Sequence, residues 1–180
     1  MTKNPKTKRY ALIMGIGIIM NLGFYALAHF FHLPMWLDSI GTAYAAVALE
    51  PVAGLLIAFV TNFIQSAFIY GTSSIVYYFV GALAALCFGL QSKKLGRAMV
   101  SYFFLATLLA GLLTVWRTKG IPDSAWERYF YDLAVGRGFH PYVACFFGTG
   151  VLKFGDTIVM GVLVPIFAGL SKRGKLTLSE

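Results

Sequence analysis

Apolar residues fall into long, nearly unbroken runs along this chain, at 10–31, 37–49, 51–70, 75–90, 98–116 and 142–170. Most approach the ~20 residues that a helix needs to cross a bilayer's hydrocarbon core. The pattern therefore predicts an all-α integral membrane protein: one transmembrane domain over residues 1–180, built as a bundle of six helices. The second run is too short to cross upright at about 1.5 Å per helical residue. It reads as a short or broken helix sharing a buried turn, Glu50-Pro51, with the third run. Were the two to form one re-entrant unit, the count would fall to five. Pro165, late in the sixth run, is expected to bend that helix or mark its exit.

Composition agrees with this reading. Hydrophobic residues make up 58% of the chain, charged residues 12%, and the mean hydropathy is +0.73. A soluble domain has nearer half apolar and a quarter charged residues. The net charge of +8 would suit nucleic acid, but its distribution argues for topology instead. Lys3, Lys6, Lys8 and Arg9 precede the first span, Lys93, Lys94 and Arg97 separate the fourth from the fifth, and Lys172, Arg173 and Lys175 follow the sixth. In a six-span chain these clusters share one side, and Lys and Arg mark the cytoplasmic face. In the opposite loop, 117–140, Arg117, Lys119, Arg128 and Arg137 nearly balance Asp123, Glu127 and Asp132. Both termini are expected inside.

The basic start followed by Ala26-Leu27-Ala28 resembles a cleavable secretory signal. The apolar run before it exceeds the usual ~7–15 residues of such a signal, so it is read as a retained span. Cys87 and Cys145 fall toward opposite ends of their spans and read as packing residues. His29, His32 and His140 belong to outer loops, at the membrane interface.

This orientation assigns a depth to each polar residue. Asp38 falls in the outer turn of span two. Asn62, Gln65 and Ser66 share one face in the outer half of span three, and Thr149, Lys153 and Asp156 share one about a third of the way into span six. Each also has a plainer reading: Lys153 and Asp156 as a self-neutralising i, i+3 pair, Asp38 as a helix cap, and the amides as interhelical glue. Their convergence at one depth favours a binding pocket, because ionisable groups inside a membrane mark functional sites by default. Small residues spaced by four form a second pattern: Ala11 and Gly15, Gly41 and Ala45, Gly81, Ala85 and Gly89, and Ala106 and Ala110. Such stripes let helices approach closely. Most serve internal packing, and the strip on span one, at the edge of the order, is the candidate for docking a partner.

No P-loop, HExxH or G-x-S-x-G motif occurs, nor an inverted repeat of two halves. The chain is not expected to be an enzyme and calls for no cofactor or metal.

The stretch LPMWLDSIGTAYAAVALEPVAGLLIAFVTNF resembles a segment of the substrate-binding S components of energy-coupling factor (ECF) transporters. There, too, a short loop leads into a helix with an acidic residue and Gly-Thr, followed by a Pro-Gly turn and a helix with Asn. Lys153-Phe154-Gly155-Asp156 is similar to a lysine–aspartate element near the start of their last helix. The resemblance covers about two-thirds of the chain. It implies a six-helix subunit of a bacterial plasma membrane that captures a vitamin or similar micronutrient. Its partners would be a transmembrane coupling subunit and two ATPase subunits. Members often dock through A-x-x-x-A on the first helix, where this chain has Ala11-Leu12-Ile13-Met14-Gly15. The expected substrate-binding residues are Trp36, Asp38, Asn62, Gln65, Lys153 and Asp156, with Trp36 covering or stacking on a ring. Their mix of charges suits a zwitterionic or polar heteroaromatic compound. The same segments also resemble sensor regions of some histidine kinases, which keeps open a ligand-sensing module that signals through a partner kinase.

Overall fold

The computed structural model describes the backbone of residues 5–177 and the side chains of residues 6–171. Lys3 lies outside the described residues, as do the side chains of Lys172, Arg173 and Lys175. The described chain is helical throughout, with no strand: α1 (Pro5–Phe30), α2 (Ile40–Ala48), α3 (Pro51–Gln65), α4 (Tyr78–Leu90), α5 (Leu95–Thr118), α6 (Ala125–Val135) and α7 (Pro141–Thr177). A π-helical turn, Ser66–Tyr70, extends α3, and a 3-10 segment, Thr72–Tyr77, leads into α4. Gly71, at φ 84°, makes the break between them in a conformation that side chains resist. Pro51 opens α3 at a position where its missing N–H costs nothing. Pro165 does not end α7, which continues past it to Thr177.

Among the described residues, five segments are long and apolar enough to cross a membrane: Lys6–Phe30, Pro51–Tyr70, Thr72–Leu90, Leu95–Thr118 and Pro141–Ser171. The protein is thus an all-α chain built for multiple membrane passes. The expected second span, 37–49, appears as the nine-residue α2, about 13 Å long.

This short helix sits at the centre of the bundle. It packs against α1, α3, α4 and α7, and Ile40 to Ala46 are all buried. It ends beside the start of α1, where the Tyr10 hydroxyl donates to Glu50 Oε1 at 3.0 Å. It begins deep inside, because Trp36 and Leu37, just before it, bond to Asp156, fifteen residues into α7 and so about 22 Å along that helix. The connecting loop descends into the bundle and α2 completes the return. A helix that begins inside protein leaves backbone N–H groups in need of partners. Asn21 of α1 supplies them: its Oδ1 accepts from the N–H of Gly41 (2.7 Å) and Thr42 (3.2 Å). Its Nδ2 donates to the Thr42 hydroxyl (2.9 Å) and the Thr61 hydroxyl (3.1 Å), tying α1, α2 and α3 together. All of the amide's hydrogen-bonding capacity is used.

Glycines set how closely these helices approach. A methyl group added at Gly41 would lie 1.9 Å from the Gly17 carbonyl oxygen, so α1 and α2 cross backbone to backbone. Ala45, Ala85, Ala106 and Ala110 are likewise buried between helices. Nothing lies within 4 Å of the space a methyl would take at Gly15, and Ala11 is exposed. That strip faces away from the bundle.

Helix α6 lies within the stretch read from sequence as a loop. It packs on α7, where a methyl added at Gly148 would lie 2.6 Å from the Glu127 carbonyl oxygen.

Candidate functional site

Above the start of α2, where a full-length helix would have continued, the bundle holds a cavity of about 350 Å³. Small-molecule sites begin at roughly this size, ~300 Å³. Asp38, Ser39 and Lys153 form its base, and Asn62, Gln65, Ser66, Ile69 and Tyr70 the α3 wall. Ser74, Tyr77, Val80, Gly81, Ala110, Thr114 and Arg117 line the wall opposite. Asp123, Ser124 and Glu127 close over it from the α5–α6 turn and α6, with Trp36 at the edge.

The loop after α1 and the α5–α6 connection meet beside the cavity. The Trp126 indole N–H donates to the His32 carbonyl at 2.9 Å, joining α6 to the loop after α1. The Trp36 ring meets Tyr70 edge to face at 6.0 Å, and the Tyr70 hydroxyl donates to Tyr25. His32 (φ 50°) and Leu37 (φ 56°) hold left-handed conformations that non-glycine residues rarely adopt, so the descending loop is strained at both ends.

Five of the six residues expected from sequence to bind substrate line this space: Trp36, Asp38, Asn62, Gln65 and Lys153. Asp156 does not. It is 2% exposed, and its oxygens accept from the backbone N–H of Trp36 (2.8 Å) and Leu37 (3.1 Å) and from Lys153 Nζ (3.1 Å). It is a positioning residue that anchors the loop carrying Trp36 and Asp38. The plainer reading of Lys153 and Asp156 as an ion pair therefore holds, yet Lys153 still faces the cavity. Asp38 does not cap α2, since Ser39 occupies that position and no side chain makes a capping bond there. The Asp38 carboxylate accepts from the Ser39 hydroxyl at 3.2 Å and otherwise faces the cavity. The Asn62 amide bonds back to the Ala58 carbonyl at 3.0 Å, whereas buried Gln65 Nε2 has no hydrogen-bond partner among the described residues. A buried donor left so costs about 1–3 kcal/mol, and this one sits where a ligand would satisfy it.

Sequence reasoning missed Glu127, Arg117, Asp123, Tyr70 and Tyr77. Glu127 is 8% exposed, and burial pushes its carboxyl above the usual range, opposed by nearby Lys153 and by Trp36. Arg117 lies over the Tyr77 ring, 5.4 Å from its centroid, and pairs with Asp123. A signal for α6 was present: Glu127, Tyr131 and Ala134, buried at spacings of four and three, make one helical face beginning after Ser124. The carboxylate at its head broke the apolar pattern.

The arrangement defines a multi-pass, all-helical membrane protein with a polar, roofed well in its bundle. No family model, no curated protein and no solved structure matches this chain.

Proposed function

We propose that this chain is the substrate-capture subunit of an ECF-type transporter, importing a vitamin-like micronutrient with energy from partner ATPases. The observation that carries this reading is the well itself: a ligand-sized cavity in an apolar bundle, lined by directed polar groups and blocked at its base by α2 and the Lys153–Asp156 pair. A closed base suits a protein that binds substrate from one side and relies on a partner for release. The chain crosses the bilayer six times, with the descending loop and α2 making the second pass, and both termini are cytoplasmic. The open strip at Ala11 and Gly15 is where a helix of the coupling subunit docks.

The test is co-purification and uptake. A tagged chain expressed in its native host is expected to retain ATPase subunits and a transmembrane partner. Retention of a histidine kinase instead would favour the sensing reading. Gly15→Leu, which adds bulk where the fold leaves open space, is expected to abolish partner retention and uptake while leaving thermal stability within about 0.5 kcal/mol of the parent. An equal loss of stability would assign the strip to internal packing.

Orientation has its own test. With Cys145 replaced by alanine, a cysteine at Ser124, beside the roof of the well, is expected to react with an impermeant thiol reagent added to intact cells. One at the exposed Ser92, between α4 and α5, is expected to stay unmodified. The reverse labelling would invert the topology.

A further inference from the structure

We propose that the well takes an organic cation, one with a fixed or resident positive charge on a small, ring-sized body, held between Asp38 and Glu127. The inference deepens the capture reading and rests on it.

The argument begins with the distribution of acid groups. The chain carries net charge +8 and only seven acidic residues. Four of them gather at this cavity: Asp38, Asp123 and Glu127 line it, and Asp156 lies behind Lys153. Two cations accompany them, and each is already committed, Lys153 to Asp156 at 3.1 Å and Arg117 to Asp123. Asp38 and Glu127 form no ion pair among the described residues, and Lys153, already bonded to Asp156, is the cation near both. Both carboxylates line the cavity, so a ligand held there would meet both. One lysine shared among three acids leaves the cavity short of positive charge, and an arriving cation relieves that shortage.

Two further observations point the same way. Gln65 is 4% exposed and lines the cavity with its Nε2 unpaired, so the well is built to receive an acceptor atom beside the charge. Trp36 and Tyr70 line the well with no cation of the described residues over their rings, whereas Tyr77 is already covered by Arg117. Aromatic faces beside carboxylates are a recurring way to hold weakly hydrated organic cations. A bare metal ion fits poorly, since no group of three metal-ligating side chains occurs among the described residues.

The test uses probes that differ in charge on one ring: 1-methylnicotinamide (positive), nicotinamide (neutral) and nicotinate (negative), with benzyltrimethylammonium as a second cation. Each is titrated calorimetrically into the detergent-purified full chain. The cations are expected to bind roughly tenfold or more tightly than nicotinamide, and nicotinate least. Asp38→Asn and Glu127→Gln, which keep shape and remove charge, are each expected to lower cation affinity about tenfold and leave nicotinamide unchanged. The charge series in the unaltered protein decides the matter even if a variant fails to fold. Tighter binding of nicotinamide or nicotinate than of both cations would overturn the assignment of charge and leave capture standing. Cation binding indifferent to both substitutions would also overturn it. A protein that binds none of the four loses the cation assignment, and the co-purification experiment then decides separately whether the transporter reading survives.

Discussion

Asp156→Ala is expected to destabilise the protein by about 3–5 kcal/mol, because it leaves Lys153 charged, buried and unpaired. Lys153 is 6% exposed, and Asp156 is its only ion-pair partner among the described residues. The same substitution strips two acceptor bonds from the backbone of Trp36 and Leu37. The strained loop then loses its anchor, so Trp36 and Asp38 are no longer held at the well. Melting followed by intrinsic fluorescence in detergent should register a fall of roughly 10 °C for a chain of this size. The double variant Asp156→Ala, Lys153→Met separates the two effects. Removing both charges should recover part of the stability lost in Asp156→Ala alone, because the uncompensated ammonium is gone. The loop would stay unanchored, so probe binding should not recover with it. If the double variant is as unstable as the sum of the single changes, the pair is not coupled and this account of Asp156 is wrong.

Asn21→Leu should cost about 2–4 kcal/mol, although the new side chain is apolar, similar in size and set in an apolar bundle. The loss comes from the partners left behind. The N–H groups of Gly41 and Thr42 would face protein with no acceptor at the start of α2, and the hydroxyls of Thr42 and Thr61 would lose their donor. Each stranded group costs about 1–3 kcal/mol in a protein interior. Polar contacts inside membrane proteins average nearer ~0.6 kcal/mol, which holds the total below the simple sum. Asn21→Asp keeps the acceptor for the two N–H groups and surrenders only the bonds to threonine, so it should be the milder change at pH values where the aspartate is ionised. A leucine variant as stable as the parent would mean that α2 starts without help from α1.

Much of the architecture was legible because hydrocarbon leaves a chain few options. Without water, backbone groups must bond within a helix, so runs of ~20 apolar residues report helices almost directly. The first, third, fourth, fifth and last runs lie on helices of the fold, with ends differing by a few residues. Spacing also recovered shared faces: Asn62 with Gln65 on α3, and Lys153 with Asp156 on α7. The roof was hidden because α6 is half polar and begins with a buried acid. Asn21 was passed over because a single amide in a long apolar run says nothing of what lies opposite.

What the sequence by itself determined, then, is the solvent, the helices and the polar faces, since each depends on residues a few positions apart and on the bilayer's demand for internal hydrogen bonding. Only the tertiary structure decided how those faces meet. Depth could not be counted from the chain, because the loop after α1 descends to Asp156 and carries Asp38 from the expected outer turn to the base of a well. Nor could spacing tell which carboxylate faces the cavity. Asp156 and Asp38 look alike in sequence, yet the first is satisfied by two backbone N–H groups and a lysine, while the second lies open beside Ser39. That difference arises from contacts between residues more than a hundred positions apart, and only the packing of α2 among its neighbours brings them together.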